Sequence, residues 1–236
     1  MNITKQAFNF TEGEILLIDK PFEWTSFDVV KKIRATINRK AGIRSIKVGH
    51  AGTLDPLATG LLILCTGKFT KRIDEFMGLE KEYTGTIKLG ATTPSFDLET
   101  SIDQTYPVNH ITEEMLKKAA GKFVGETDQV PPLYSAIKLK GSRAYHFARN
   151  NEQVELPTRR VHIKSFEITT FNTPETAFRV VCSKGTYIRS LARDFGKALN
   201  SGAFLTSLRR IRIGDFLIED AITPHHFEKV LINLND

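Results

Sequence analysis

A loop that carries one carboxylate is the part of this sequence best suited to chemistry. Residues 48–60 read Val-Gly-His-Ala-Gly-Thr-Leu-Asp-Pro-Leu-Ala-Thr-Gly, with Asp55 near the centre. Gly49 and Gly52 permit backbone angles that other residues avoid, and Pro56 restricts Asp55 to extended or turn conformations. The pattern predicts a carboxylate that is held in place by its loop rather than free. The alternative is an ordinary Asp-Pro turn that only reverses the chain.

The segments beside this loop predict a rigid support for it. Residues 61–65 are continuously apolar, which is typical of a buried strand that begins directly after the loop. Upstream, residues 15–18 predict a short buried strand, and Thr25, with Asp28 three residues later, predicts the N-cap of a helix. A loop between such elements would hold Asp55 on a scaffold.

The rest of the chain predicts an α+β domain. Residues 81–90 alternate as in a half-buried strand with Tyr83 on the apolar face, whereas residues 92–109 are predicted to form a loop. Residues 186–199 have the clearest helical spacing, with Tyr187 and Arg189 in the first turn. Further strands are predicted at residues 161–171, 177–182 and 204–213, and further helices at residues 70–77, after Thr112 and from Pro224. Because strands and helices do not alternate regularly, we expect a mixed or mainly antiparallel sheet.

The charge of the chain favours an anionic partner. Its 236 residues carry a formal net charge of +6, and the pI is near 9.3. Basic residues are interleaved with aromatic ones at Lys138, Lys140, Arg143, Tyr145, His146 and Phe147. That mixture suits RNA, because cations contact phosphates while rings stack on bases. An amphipathic surface helix is the alternative.

Several classes of protein are disfavoured by composition. No apolar run approaches the length of a membrane span, and the N-terminus lacks a basic start followed by an apolar block, so we expect a cytoplasmic protein. Cys65 and Cys182 stand alone in apolar segments, which predicts buried reduced thiols. No metal-ligand spacing and no glycine-rich nucleotide loop is present, so we expect neither a metal nor another cofactor.

The string Gly-His-x-Gly-x-Leu-Asp-Pro-x-Ala-Thr-Gly resembles the catalytic loop of the TruB family of tRNA pseudouridine synthases. Other segments resemble the family's remaining motifs, in the family's order. They are Asp19-Lys20-Pro21, Lys81-Glu82-Tyr83, Tyr134-Ser135-Ala136-Ile137-Lys138, Cys182-Ser183-Lys184-Gly185-Thr186-Tyr187-Ile188-Arg189 and Leu208-Arg209-Arg210. The resemblance covers roughly residues 13–215.

The resemblance implies a pseudouridine synthase fold, with a mixed, mainly antiparallel sheet flanked by helices. It implies one catalytic domain over residues 1–236, with a thumb-like insertion near residues 124–150 that grips the RNA. Because the sequence ends about twenty residues after the last motif, we expect it to lack the C-terminal PUA RNA-binding domain of many bacterial relatives.

The implied activity is conversion of uridine to pseudouridine at position 55 in the T loop of tRNA, without a cofactor. We expect a monomer that acts on the T arm without a guide RNA. A guide-dependent relative of the dyskerin type and an RNA-binding module with vestigial chemistry are the two alternatives. The missing PUA domain disfavours the first, and the joint presence of Asp55, Tyr83 and Arg189 disfavours the second.

By resemblance, the catalytic residues are Asp55, Tyr83 and Arg189. Asp55 is the nucleophile, and Arg189 supplies the positive charge that keeps it ionised, because desolvation alone would raise the pKa of the carboxyl group. Tyr83 is implied to stack on the flipped uracil and to take part in late proton removal from C5. A core aromatic is the alternative for Tyr83.

The resemblance also implies four substrate-binding residues. Tyr187 and Leu208 are expected to line the pocket for the base, and His50 to occupy the space that the flipped base leaves or to contact the RNA. Lys20 is expected to support the loop or a phosphate. For His50, a core histidine satisfied by the backbone is the alternative.

Two departures from the family pattern stand out. His50-Ala51-Gly52-Thr53 replaces the commoner His-Thr-Gly-Ala, which moves a hydroxyl group without altering Asp55. Residues 92–100 lack the acidic, glycine-containing turn often found there, so contacts of that loop with RNA are in doubt.

Overall fold

The computed structural model describes residues 8–135, 137–139, 141–150, 152 and 154–233. These residues form two compact units, which we call unit 1 and unit 2. Unit 1 combines residues 8–82 with residues 209–233, and unit 2 is Tyr83–Leu208. No helix among the described residues is both long enough and apolar enough to cross a bilayer.

The strands are β1 (Ile15–Lys20), β2 (Val48–His50), β3 (Thr59–Thr66), β4 (Lys81–Leu89), β5 (Ala91–Thr92), β6 (Gln104–Thr105), β7 (Gly125–Gln129), β8 (Lys138–Leu139), β9 (Ser142–Arg143), β10 (Arg159–Asn172), β11 (Glu175–Cys182), β12 (Ala203–Ile213) and β13 (Phe216–Leu217). The helices are α1 (Ser26–Lys40), α2 (Ile73–Gly78), α3 (Glu113–Gly121), α4 (Ala144–Arg149), α5 (Ile188–Ala198) and α6 (Pro224–Asn233). Short 3-10 helices occupy Gly67–Arg72 and Ile218–Asp220.

Unit 1 is built around β3. Every residue of this strand after Thr59 is buried, which confirms the predicted buried strand. β1 and β2 pair with β3 in antiparallel fashion, and β12 pairs with it in parallel at Arg209 and Arg210. One apolar cluster joins β1 and β3 to α1 and α6, and a second covers the opposite side chains of β3 with α2 and β12. A strand buried on both faces requires an apolar run without alternation, as the sequence has here.

Helix α1 begins where its capping residues predict. The Thr25 side chain accepts a hydrogen bond from the Asp28 N–H, and the Asp28 carboxylate accepts one from the Thr25 N–H. This reciprocal arrangement satisfies N–H groups that the first helical turn leaves without partners. Val30, Ile33 and Ile37 are buried on one face, as the helical spacing predicts.

Unit 2 contains the strand order β12-β4-β11-β10-β7, in which β11 and β7 pair with β10 in antiparallel fashion. Its core comes from β4, β10, β11 and β12 together with helices α3 and α5. Phe166 of β10 packs edge-on against Phe178 and Phe195, at ring-centroid distances of 5.9 and 5.2 Å. The predicted α+β class with a mixed, mainly antiparallel sheet is therefore confirmed.

Several predicted boundaries were wrong. Residues 92–109 are not wholly a loop, because β5 and β6 pair within that region. Helix α2 begins at Ile73 rather than at residue 70, since a 3-10 helix precedes it. Helix α5 begins at Ile188, so Tyr187 is its N-cap and not a residue of its first turn.

One face of β4 differs from the predicted alternation. Glu82 was expected on the polar side, but only 4% of its surface is exposed. Its carboxylate accepts a hydrogen bond from Arg212 Nε at 2.8 Å. A charged partner from β12 thus compensates the burial of Glu82, and local alternation gives no sign of such a partner.

The expected thumb-like region contains β7, the β8–β9 hairpin and α4. Ala136, Lys140 and the side chain of Lys138, which belong to motifs quoted above, lie outside the described residues. The grip of this region on RNA stays a prediction.

Candidate active site

The loop that carries Asp55 is hydrogen-bonded on both sides of that residue. Ser26 Oγ of α1 accepts the Leu54 N–H at 2.9 Å and contacts the Leu54 carbonyl at 3.3 Å. The Ala58 N–H donates to the Asp55 carbonyl at 3.1 Å. The Asp55 side chain belongs to a residue that is partly exposed, whereas Leu54 is buried. A buried neighbour and a bonded backbone restrict where the carboxylate is able to move.

The two glycines before Asp55 serve different purposes. Gly52 has φ +103°, a conformation that L side chains rarely adopt. Gly49 has no such angle, so that part of the prediction was wrong. A Cβ atom on Gly49 would lie 2.6 Å from Ile73 Cδ1. Gly49 therefore provides room for Ile73, and only Gly52 uses the backbone freedom of glycine.

Lys20 is hydrogen-bonded to the loop that carries Asp55. Its side chain is fully buried, and Nζ donates to the carbonyls of Pro21, Trp24 and Pro56 at 2.9, 2.6 and 3.2 Å. Three carbonyl acceptors occupy the three N–H donors of an ammonium group. This geometry favours loop support over a phosphate contact, the two roles that the resemblance left open for Lys20.

The protonation state of Lys20 makes its hydrogen bonds to the loop depend on pH. Burial lowers the pKa of Lys20 from 10.5 to about 8, although the Asp55 carboxylate opposes this shift; the Arg210 guanidinium adds to the lowering. The charged, triply bonded form therefore prevails only below about pH 8.

For the pseudouridine formation in tRNA that the resemblance implies, we expect the single-turnover rate to fall as the pH rises through about 8. A neutral amine has two N–H donors for three carbonyls and no longer provides a positive charge beside Asp55. The measurement is a pH–rate profile of the native protein and of Lys20→Met, with tRNA saturating throughout. The variant should be slower, and its rate should not fall above about pH 8 as the native rate does. The same fall in both proteins would contradict the claim that Lys20 causes it.

Arg210 is a second buried cation that fastens the same loop. It is 1% exposed, its Nε donates to the Leu61 carbonyl at 2.7 Å, and its Nη2 donates to the Gly52 carbonyl at 3.1 Å. The guanidinium thus ties the beginning of the loop to the first residues of β3. Arg209, its neighbour, instead forms a partly exposed pair with Asp19 at 2.7 Å.

Replacing Arg210 with methionine should slow the reaction by about 10²-fold or more, with little change in the Kd for tRNA. Loss of the guanidinium leaves two buried carbonyls without their donor, and small displacements of a reacting group have effects of this size. The unfolding free energy should fall by about 3 kcal/mol. Arg209→Gln is the matched stability control and should cost no more than about 1 kcal/mol. Equal losses in the two variants would contradict the role given to Arg210.

His50 lies on β2 at the start of the loop and is half-buried. Burial, followed by the nearby Arg210 charge, lowers the pKa of His50. Among the described residues, its buried Nδ1 atom has no hydrogen-bond partner. His50 therefore carries a neutral imidazole at the start of the loop. The alternative was a core histidine whose ring nitrogen is hydrogen-bonded to the backbone, and no such bond to Nδ1 is observed among the described residues.

In unit 2, Arg189 is held by the loop that follows β5. The guanidinium donates to the Ser95 carbonyl at 3.2 Å and to the Tyr134 carbonyl at 2.9 Å. Its Nε lies 3.6 Å from Asp97 Oδ2, and the two side chains are only 4% and 8% exposed. Residues 92–100, whose contacts with RNA are in doubt because they depart from the family pattern, thus position a predicted catalytic arginine.

Two of the three other predicted residues of unit 2 pack against its apolar core, and the third is held by a glutamine. Tyr83 and Leu208 are partly buried against that core. Gln129 holds Tyr187 in place, because its side chain accepts the Tyr187 N–H at 2.7 Å and donates to the Tyr187 carbonyl at 3.1 Å. The Arg159 guanidinium lies 5.8 Å from the centre of the Tyr187 ring.

The predicted site residues therefore fall into two groups. Lys20, His50 and Asp55 belong to unit 1. The second group belongs to unit 2 and consists of Tyr83, Tyr187, Arg189 and Leu208. The first group offers an anchored carboxylate, and the second offers an arginine held by a carboxylate, together with aromatic and apolar side chains.

The sequence analysis missed five supporting residues, namely Ser26, Ser95, Asp97, Gln129 and Arg210. Arg210 was quoted within the last motif but received no role. A signal existed for it, since three arginines on one predicted strand cannot all face solvent when the strand is central. No local pattern marks the other four.

Family models match the whole second half of the chain and much of the first. Residues 38–188 match the model described as TruB family pseudouridylate synthase (N-terminal domain). Residues 189–236 match the model described as tRNA pseudouridylate synthase B C-terminal domain.

Curated relatives cover nearly the full chain. A tRNA pseudouridine synthase B from Phocaeicola vulgatus is 58% identical over 223 residues, which are 94% of this chain and 95% of the relative. The protein of the same name from Flavobacterium johnsoniae is 56% identical over 223 residues, which are 94% and 97% of the two chains.

Solved structures share the fold. A Cbf5 complex with Nop10 and Gar1 contains a chain of 28% identity and TM-score 0.68, with 93% of this chain aligned to 54% of that one. An H/ACA RNP bound to a substrate RNA containing 2′-deoxyuridine gives 27% identity and TM-score 0.66, with 93% aligned to 53%. The present chain thus spans about half the length of those two. Its motifs, its fold and its close relatives together place the chain in the TruB family of pseudouridylate synthases.

Proposed function

We propose that this protein isomerises uridine to pseudouridine at position 55 in the T loop of tRNA, with Asp55 as the nucleophile. The observation that carries the proposal is the anchored loop of residues 48–60. It combines the family's catalytic string with backbone bonds on both sides of Asp55. The names and high identity of the curated relatives support tRNA as the substrate.

The reaction breaks one bond and forms another within the same nucleoside. The N1–C1′ glycosidic bond breaks, the uracil turns while it stays in the pocket, and C5 bonds to C1′. The C5 proton leaves to solvent and N1, freed from C1′, takes up a proton, so the product is an isomer of the substrate. Attack of Asp55 on C1′ of the sugar and attack on C6 of the base both fit this balance and use the same carboxylate.

Asp55 must stay ionised when the base displaces water around it. We assign Arg189 the role of the positive charge that opposes desolvation of the carboxylate. Its support comes from Ser95, Tyr134 and Asp97, which fix the guanidinium in unit 2. Lys20 acts as a positioning residue that supports the loop and adds positive charge beside Asp55.

The uracil must leave its stack before the carboxylate is able to reach it. We assign Tyr83 as the stacking partner and as a participant in removal of the C5 proton. Tyr187 and Leu208 form the wall of the base pocket in this proposal, and His50 contacts the RNA or replaces the flipped base. Tyr83 and Leu208 are only partly buried against the apolar core, and the surface that each leaves accessible supports these roles.

We further propose that the protein acts as a cytoplasmic monomer, without a guide RNA and without a metal or another cofactor. High identity over nearly the whole length of bacterial synthases supports guide-free action. The guide-dependent alternative predicts binding of tRNA without product when the chain is supplied alone.

Position mapping tests this proposal. Purified protein is incubated with an unmodified tRNA transcript, and pseudouridine is located by carbodiimide modification and primer extension. We expect one new stop, at position 55, which disappears when that position is cytidine. Product at a different position, or product only when cellular RNA is added, would overturn the assigned specificity.

A further inference from the structure

A polar groove in unit 1 has none of the predicted site residues in its lining. It has a volume of about 570 Å³ and is formed by α1, the segment that leads to β2, and the 3-10 helix Gly67–Arg72. Its polar lining consists of Arg34, Asn38, Ser45, Lys47 and Thr70. Pockets of this size accommodate small ligands or short segments of a larger one.

The groove is positively charged. Arg34 and Lys47 line it, and neither an aspartate nor a glutamate is among its lining residues. Arg44 and Lys71 adjoin the lining residues Ser45 and Thr70 in the chain. None of these four cations forms an ion pair with a carboxylate within the described ranges.

Other cations of the same region are already paired. Lys68 lies 2.8 Å from a Glu12 carboxylate oxygen, and Lys32 lies 2.5 Å from Glu228. The contrast shows that the charges of the groove are not neutralised as their neighbours are. Positive charge that is not neutralised within the protein favours an anionic ligand.

The groove is also continuous with the Asp55 loop within unit 1. Val48 and Gly49 form part of the groove wall, and they are the first residues of the string that contains Asp55. An anion bound here would therefore contact the same strand, β2, from which the catalytic loop departs.

We infer that this groove binds the ribose–phosphate backbone of the tRNA, at nucleotides other than the one that reacts. Arg34 and Lys47 contact phosphates, while Asn38, Ser45 and Thr70 supply hydrogen-bonding groups for phosphate oxygens and 2′-hydroxyls. The inference rests on the proposed function in taking tRNA as the RNA. It adds a binding surface in unit 1 that does not touch the uracil.

The test is the salt dependence of tRNA binding by the variant Arg34→Gln/Lys47→Gln. Each phosphate contact contributes a slope of about 0.9 to the plot of log Kd against log salt concentration for a duplex. Loss of two contacts should therefore reduce the slope by about 2 and raise Kd at low salt. The single-turnover rate at saturating tRNA should stay at the native value.

Lys122→Gln/Lys197→Gln is the matched control, because it removes the same charge from exposed lysines of unit 2. Its slope should stay close to the native one. Thermal melting of both double variants checks that they are folded. Slopes reduced equally in both variants would show a general charge effect and would overturn the inference.

Inorganic phosphate distinguishes a small anion from an RNA strand. At constant ionic strength, replacing chloride with phosphate should displace tRNA no more than chloride does. Calorimetric binding of phosphate alone that disappears in the groove variant would make free phosphate the ligand and would overturn the inference. If the native protein converts uridine but the groove variant binds tRNA with the native slope, the inference about the groove is wrong and the proposed function stands. If the native protein converts no uridine but the groove variant shows the reduced slope, the proposed function is wrong and the groove still binds RNA.

Discussion

Replacing Asp55 with asparagine is expected to reduce pseudouridine formation by at least about 10⁴-fold, the scale on which other enzymes respond to loss of a nucleophile. Asparagine has almost the same shape as aspartate but offers no anionic oxygen for attack. The Leu54 N–H donates to Ser26 Oγ and the Ala58 N–H donates to the Asp55 carbonyl. Both bonds use the backbone of the loop, so they survive the change. The loop should keep its conformation while its chemistry is lost.

Single-turnover conversion and tRNA binding, measured on the same preparations, check this prediction. The Kd for tRNA should change little. Asp19→Asn is a suitable comparison for stability, because Asp19 also acts electrostatically on Lys20 and belongs to a partly exposed pair. Full activity of Asp55→Asn would mean that a different residue is the nucleophile.

A second readout concerns Lys20. Because the Asp55 carboxylate raises the pKa of Lys20 against the effect of burial, its removal should lower that pKa below about 8. Deprotonation of the buried ammonium should then begin at a lower pH in Asp55→Asn than in the native protein. This shift depends on the position of Asp55 and not on catalysis.

Replacing Arg189 with methionine should lower the unfolding free energy by about 3–5 kcal/mol and abolish activity. The Asp97 carboxylate is 8% exposed and would be left in the interior without its cation. Removal of one partner of a buried pair has effects of this size because the remaining charge is desolvated and uncompensated. Urea unfolding at neutral pH measures the first effect, and single-turnover conversion measures the second.

Arg189→Met/Asp97→Asn separates the two roles of the arginine. Asparagine at position 97 removes the buried negative charge that has lost its cation. It keeps an oxygen for the Glu99 N–H, which Asp97 Oδ1 accepts at 2.9 Å in the native protein. We expect much of the stability to return while activity stays absent. Arg193→Met, in the same helix, should cost less, since Arg193 pairs with the adjacent Asp194 at 2.8 Å and is less buried. Activity restored in the double variant would make Arg189 a structural residue only.

Short-range patterns in the sequence predicted the framework of the site well. The apolar run that became β3 has no alternation because both faces of that strand are buried. The capping residues Thr25 and Asp28 act within four consecutive positions, so their pattern is visible without any tertiary information. Elements of this kind are decided by residues that are neighbours in the chain.

The supports of the site could not be predicted in the same way. Arg210 reaches the Gly52 carbonyl across 158 positions of the sequence, and Arg189 reaches the Ser95 carbonyl across 94. Their acceptors are backbone carbonyls, which every residue possesses and which therefore leave no mark in the sequence. Gly49 illustrates the same limit, because the space beside it is filled by the distant Ile73 side chain and its backbone angle is not one that favours glycine.

Tritium release from C5-labelled uridine in an unmodified tRNA transcript tests the central claim most directly. The purified native protein, supplied with no guide RNA, should release one equivalent of tritium per transcript, and a transcript with cytidine at position 55 should release none. Asp55→Asn should bind the first transcript and release no tritium. Binding by the native protein without release would contradict the claim that this chain is itself a pseudouridine synthase, and release by the variant would contradict the role of Asp55.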